Sequence, residues 1–240
     1  KLGEENMAAI QVLSAGAVRV GLTDLAAEFG NKNNSEVDVT FSTGPEIRER
    51  LTADGAGNDD LDLVVAPKAL MDDLVAAGCV DASTRSTLGW VKAAVAVKTG
   101  APMPDISSAD SLRAAILGAE VIVYNKASSG QYIDQMIAGL GIADDVEAKV
   151  QRFPDACIAM TFLGKMESNG GLGFGQSSAI RGYAPLGVTQ VGPLPDAVGN
   201  VTTYDAAVAT ATANRETADA LLGLLTSEYG LAAFTATGVE

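Results

Sequence analysis

"VLSAGAVRVGL", residues 12–22, decides how the chain is read. An apolar run stops on Ser14, Ala15 and Gly16, and the sequence then resumes with helical spacing that carries a lone arginine, Arg19. A buried strand that turns directly into a helix is the repeating unit of a parallel α/β sheet. The small residues Ser14, Ala15, Gly16 and Ala17 let an anion approach the backbone N–H groups at that helix start.

The same punctuation recurs along the chain. Short apolar runs at 10–13, 37–41, 61–66, 90–97, 121–124, 171–175 and 206–211 predict strands, and helical periodicity fills the gaps between them. Alternating strands and helices imply an α/β protein with largely parallel sheets, whose ligands bind beyond the carboxyl ends of the strands. Four more junctions resemble the first. Ser42, Thr43 and Gly44 precede Pro45 and Glu46; Ser128, Ser129 and Gly130 follow "VIVYNKA"; Asp155 and Ala156 follow "QRFP"; Gln176 and Ser177 follow "GLGFG". Helix N-termini present unpaired N–H groups and a positive dipole end, so several converging on one site bind an anion. The competing reading is that these hydroxyls, Asp155 and the glycines are ordinary caps.

Composition narrows the function. The 240 residues, 48% of them hydrophobic, suffice for one large core or two smaller ones. A net charge of −14 argues against nucleic acid or an anionic membrane as partner, and the longest apolar runs are too short for membrane insertion. The chain holds no histidine and no clustered cysteines, so zinc sites and histidine relays are excluded, and any proton must move through carboxylates, Lys, Tyr, Cys or water. Cys79 and Cys157 fall in different halves of the chain, and no disulfide is expected between them. A sequence opening on Lys1 fits a processed secretory protein or a trimmed chain, and export to the periplasm is the expectation.

Taken in order, "VLSAGAV", "VTFSTGPEIRERL", "DLDLVVAP", "MDDLVAAGCV", "ASSGQYI" and "LGFGQSSAI" resemble the periplasmic molybdate-binding protein family of ABC transporters over nearly the whole chain. The resemblance implies a two-lobed periplasmic-binding-protein-like fold, each lobe a mainly parallel sheet flanked by helices, with the ligand in the interlobe cleft. Residues 1–85 plus 213–240 are expected to form the first lobe and 86–212 the second. The family's oxyanion ligands fall near Ala17, Ser42 or Thr43, Ser129, Ala156 and Gln176. Where the family has a first-loop serine and a last-site tyrosine, this chain has Ala17 and Gln176. A register shift of the first loop would make Ser14 the hydroxyl. Arg19 is either an ordinary solvent-facing helical arginine or, if it faces the ligand, a planar guanidinium that matches a carboxylate bidentately. The expected ligand is therefore a small anion, either an organic polycarboxylate or an oxyanion, with an ABC permease as partner if the protein only binds. An enzyme offshoot of the family interconverts trans- and cis-aconitate.

That reaction moves a proton across an allylic system and calls for no cofactor, but it requires a base. The candidates are Glu46, Lys126, Tyr124, Tyr132, Asp155 and Cys157. Lys126, in the loop before the Ser128 helix start, is the preferred base, with Tyr124 as the acid and Glu46 as the further catalytic candidate. Glu46 also suits the first turn of a helix, where a carboxylate complements the dipole.

Overall fold

The computed structural model describes residues 9–52 and 60–240. Lys1, on which the export expectation rests, lies outside the described residues. β1 (Ile10–Ala15) leads through a 3-10 turn at Gly16–Val18 into α1 (Arg19–Asn33). β2 (Val37–Ser42) leads into α2 (Gly44–Thr52), and β3 (Leu63–Pro67) into α3 (Lys68–Ala76). β1 pairs in parallel with both β2 and β3, with Ala15 opposite Ser42 and Ser14 opposite Val65. Leu63, Val64, Val65 and Ala66 are all buried, as expected of a parallel strand covered on both faces.

β4 (Ser86–Lys98) carries the chain into a second compact unit. There follow α4 (Ala109–Gly118), β5 (Val121–Asn125), α5 (Ser128–Gly139), the single turn α6 (Ala143–Val146) and β6 (Val150–Phe153). α7 (Ala156–Lys165), β7 (Gly171–Gln176), α8 (Ser177–Gly182) and β8 (Val188–Pro193) complete it. β5 pairs in parallel with β6 and β7, while β4 pairs antiparallel with β7 and β8. Alternation along the strands divides the core. Val95, Ile122, Tyr124, Leu172 and Phe174 pack with Leu112, Ile133 and Met136 on one face. Ala94, Ala96 and Val123 pack with Met160, Leu163 and Ile180 on the other.

β9 (Val201–Val208) returns the chain to the first unit, where it pairs antiparallel with β3, and α9 (Arg215–Thr226) and α10 (Glu228–Ala236) pack on α1. The units are Lys1–Gly89 with Thr203–Glu240, and Trp90–Thr202. The boundary expected after residue 212 therefore lies earlier, because Tyr204 to Val208 are hydrogen-bonded to β3. The seven expected strands are present, with β9 starting at Val201 and extending only to Val208. β6 and β8 are additions. β6 has four residues, and β8, with its Gly192 and Pro193, lacks a long apolar run, so neither gives a strong periodic signal. Cys79 is buried and Cys157 exposed, and both are free thiols.

α7 lies against the residues that lead into β8. A Cβ on Gly164 would sit 2.0 Å from the carbonyl oxygen of Leu186, whereas one on Gly118 meets nothing within 4 Å. Gly164→Ala is expected to cost about 2 kcal/mol or more in denaturant unfolding, from forced backbone displacement. Gly118→Ala should be neutral or stabilising by up to about 1 kcal/mol. Equal effects of the two substitutions would rule out the close approach at Gly164.

Candidate functional site

Parallel pairing puts consecutive helix starts along one edge of each sheet. In the first unit the ends of β1, β2 and β3 are neighbours, so the starts of α1, α2 and α3 share that edge. Ala15 precedes the 3-10 turn and Val18 precedes α1, and neither position gives a side-chain cap; Pro67 before α3 gives none either. Ser14 is fully buried and its hydroxyl donates to the Ala15 carbonyl at 3.0 Å, so it points into the protein. Ala15 and Ala17 are buried, while Gly16 is half-buried with open space where a Cβ would stand.

Arg19 is exposed, and its guanidinium lies 3.9 Å from the centroid of the Phe41 ring. Phe41 belongs to β2, next to Ser42, so a cation–π contact joins the first two loops of the edge. Among the described residues no carboxylate forms an ion pair with Arg19. Its planar face is occupied and its N–H fork is not.

The second helix start differs. The Thr43 backbone N–H donates to Glu46 Oε2 at 2.7 Å, and Ile47 N–H donates to the Thr43 carbonyl at 2.9 Å. Glu46 thus closes the turn over Ser42, Thr43 and Gly44 as the reciprocal half of a capping box. Glu46, named as a catalytic candidate, is an exposed residue whose carboxylate is the acceptor at this helix start.

In the second unit, β5, β6 and β7 likewise bring the starts of α5, α7 and α8 to one edge. Asn125 shapes the α5 start. Its Oδ1 accepts from Ala127 N–H at 2.9 Å and its Nδ2 donates to Ser129 Oγ at 3.1 Å. Ala127 occupies the N-cap position and provides no side-chain acceptor, so the first N–H groups of α5 at Ser128, Ser129 and Gly130 are left uncapped. Gly130 is obligatory there, since a Cβ would lie 1.6 Å from the Asn125 carbonyl oxygen. Lys126 is exposed, and its backbone N–H donates to the Phe153 carbonyl. Its ammonium forms no ion pair among the described residues.

Asp155 behaves as a cap, accepting from Ile158 N–H at 2.8 Å, and so closes the α7 start over Ala156. At the last junction Gln176, 8% exposed, precedes α8, and Ser177 is buried behind it. Gln176 Nε2 donates to Thr202 Oγ1 at 3.0 Å, and Gln176 Oε1 is buried with no partner.

Tyr124, the expected acid, is turned away from this edge. It is 1% exposed within the core face under α5, and its hydroxyl donates to Asp134 Oδ1 at 2.5 Å. Burial, reinforced by the Asp134 carboxylate, holds its pKa well above the usual phenol range. Arg152 donates to both Asp134 and Glu147, so four side chains form one closed network. The role expected of Tyr124 is thereby corrected to a structural one, because β-strand alternation sends its ring to the α5 face. Tyr132 donates to the backbone carbonyls of Val198 and Gly199, both at 3.0 Å, and Cys157 is exposed on α7. Phe41, Asn125 and Thr202 were not singled out from the sequence. Phe41 could have been found from its place beside Ser42, but nothing local marks Thr202.

No group of three or more metal-ligating side chains is present among the described residues, and no helix is long and apolar enough to cross a membrane. The two units, the parallel edges and their small-residue helix starts define a periplasmic-binding-protein fold. The chain belongs to the bacterial extracellular solute-binding protein family, whose model matches residues 10–240. It is 28% identical, over 100% of its length and 90% of the relative's, to an aconitate isomerase of Pseudomonas sp.. The periplasmic molybdate-binding protein of Azotobacter vinelandii superposes with a TM-score of 0.77 at 16% identity, covering 96% of this chain and 98% of that one. The sulfate-binding protein of Mycobacterium tuberculosis does so with a TM-score of 0.72, also at 16% identity, covering 96% and 85%.

Burial works to raise the Asp134 carboxyl, but hydrogen bonds from Arg152 and Tyr124 outweigh it and hold its pKa below the ordinary value. A carboxyl with a depressed folded-state pKa stabilises the fold above its unfolded value, and that contribution is lost as pH falls through the folded pKa. Urea unfolding should find Asp134→Asn less stable than the parent at pH 7, with the gap closing below about pH 4. A gap as large at pH 3 as at pH 7 would show that the ionised carboxylate is not what stabilises the network.

Proposed function

We propose that this protein is a cofactor-independent aconitate isomerase, working in the periplasm on a solute-binding-protein fold. The observation that carries this reading is Arg19, whose guanidinium is braced on Phe41 and has no carboxylate partner among the described residues. A fork held in this way is suited to a carboxylate, which it binds through two parallel N–H bonds. Aconitate has three carboxylates, and each unit by itself offers donors to a carboxylate: Arg19 beside the start of α1 in the first, and the uncapped start of α5 at Ser128, Ser129 and Gly130 in the second. The relative named aconitate isomerase, aligned over the whole chain, supports the same reading.

In this mechanism a base takes a proton from the methylene carbon of trans-aconitate. The electron pair spreads over the allylic carbons and onto the attached carboxylates, and a proton returns at the far allylic carbon to leave cis-aconitate. Arg19 and the helix N–H groups stabilise the charge as it moves onto carboxylate oxygen. Lys126 is the group assigned to take and return the proton, being a titratable side chain at the α5 start with no ion-pair partner among the described residues.

The purified protein is expected to convert trans- to cis-aconitate, followed by proton NMR. Lys126→Ala should lower kcat by about 100-fold or more. Arg19→Lys, which keeps the charge but loses the fork, should weaken trans-aconitate binding by about tenfold. Undiminished turnover in Lys126→Ala would remove that residue from the mechanism. A second reading, favoured by the family itself, is a solute-binding protein that delivers an oxyanion or organic acid to a transporter. Tight binding of molybdate or trans-aconitate with no conversion would establish it in place of the enzyme.

A further inference from the structure

Asn169 and Gly170 form the only Asn-Gly pair in the sequence. They stand between α7, which ends at Lys165, and β7, which begins at Gly171. Asn169 is exposed and lies in a bend, and its side-chain amide has no hydrogen-bond partner among the described residues. Gly170 has no Cβ to shield its backbone nitrogen, and a glycine backbone reaches conformations closed to other residues. The Gly170 nitrogen and the Asn169 side-chain carbonyl carbon are one bond short of a five-membered ring. Nothing in the fold ties the amide down against closing it, and asparagine is among the thermolabile residues for such reasons.

On its other side the pair is fixed. The Gly170 carbonyl accepts from the Glu120 N–H at 2.8 Å, and Gly171 stands opposite Val121 in the parallel ladder that joins β7 to β5. β7 also pairs with β4, and all six of its residues are buried. A change in backbone length at position 169 is therefore passed to the first rungs of an inner strand. The local charge is already negative. Glu167 precedes Asn169 by two residues, and the Glu120 side chain lies over Gly170, where a Cβ would stand 2.7 Å from Glu120 Oε1.

We propose that Asn169 is a site of spontaneous deamidation and that the product loosens the join between β7 and β5. Hydroxide takes the Gly170 N–H proton, and the nitrogen attacks Asn169 Cγ. The bond from Cγ to the side-chain nitrogen then breaks, and that nitrogen takes a proton from water and leaves as ammonia. Water opens the resulting succinimide at either carbonyl. One opening gives aspartate; the other gives isoaspartate, in which the main chain runs through Cγ and is one carbon longer. Water is the only co-reactant. Both products add a carboxylate to the stretch that holds Glu120 and Glu167, where like charges repel, and isoaspartate also shifts the chain entering β7.

The test ages the full chain for days to weeks in warm, mildly alkaline buffer, digests it after lysine and arginine, and sequences the fragment Met166–Arg181 by tandem mass spectrometry. The same fragment as a free peptide is aged beside it. The folded chain is expected to gain the mass of one amide-to-acid exchange at Asn169, with isoaspartate detected by an isoaspartyl methyltransferase label. Aged protein should melt about 2–4 °C below fresh protein. Asn169→Gln, for which ring closure needs a sixth member, should keep both its mass and its melting temperature. Asn169→Asp, which adds the charge without the extra carbon, should melt between the two. If Asn169 stays intact in the folded chain while the free peptide deamidates, the fold protects it and the proposal is overturned. Deamidation with an unchanged melting temperature would overturn the loosening of the β7–β5 join.

Discussion

Parallel pairing of β1 with β2 and β3, and of β5 with β6 and β7, is the constraint on which the rest of this protein depends. Parallel neighbours cannot be joined by a hairpin, so each connection crosses back through a helix. Every such helix must then begin at the same edge of its sheet. The edge collects N–H groups that the helices cannot satisfy themselves, and the local field there is positive even though the whole chain carries −14. Anion affinity in an acidic protein thus follows from topology, since dipoles within a few ångströms outweigh distant screened charges.

What separates the helix starts from one another is their capping. Asp155 gives its carboxylate to α7 and Glu46 gives its own to the turn before α2, so those starts already have an acceptor. α1, α3 and α5 are preceded by Val18, Pro67 and Ala127, none of which caps. The hydroxyls that look like caps in the sequence are elsewhere engaged: Ser14 Oγ donates to the next carbonyl, and Ser129 Oγ pairs with Asn125. The uncapped starts leave donors for a ligand, and Arg19, braced on Phe41, adds a formal charge beside one of them.

Much of the fold was legible in the sequence because apolar runs and helical spacing are local signals. β1, β5 and β7 lie where those signals put them, with the small residues at their ends. β6 and β8 were not legible, since four residues in one case and a glycine- and proline-bearing strand in the other leave little periodicity. Among the site residues, Asp155 read correctly as a possible cap because its partner, Ile158 N–H, is three residues away. The inward place of Tyr124 has no local signal, because its partner Asp134 and the flanking Arg152 come from α5 and β6, and no short-range pattern records that meeting.

The sequence by itself determined an α/β chain with glycine- and hydroxyl-rich strand-to-helix junctions, no histidine chemistry, and an arginine at the first of those junctions. Only the tertiary structure decided which junctions are closed by their own side chains, that Tyr124 faces the core, that Arg19 stands on Phe41, and that one oxygen of Gln176 is buried without a partner. The physical reason is one of range. Secondary structure follows from neighbours within a few residues. Whether a polar group is satisfied depends on what the sheet brings beside it, here Thr202 beside Gln176 and Phe41 beside Arg19, from segments more than twenty residues away in the chain.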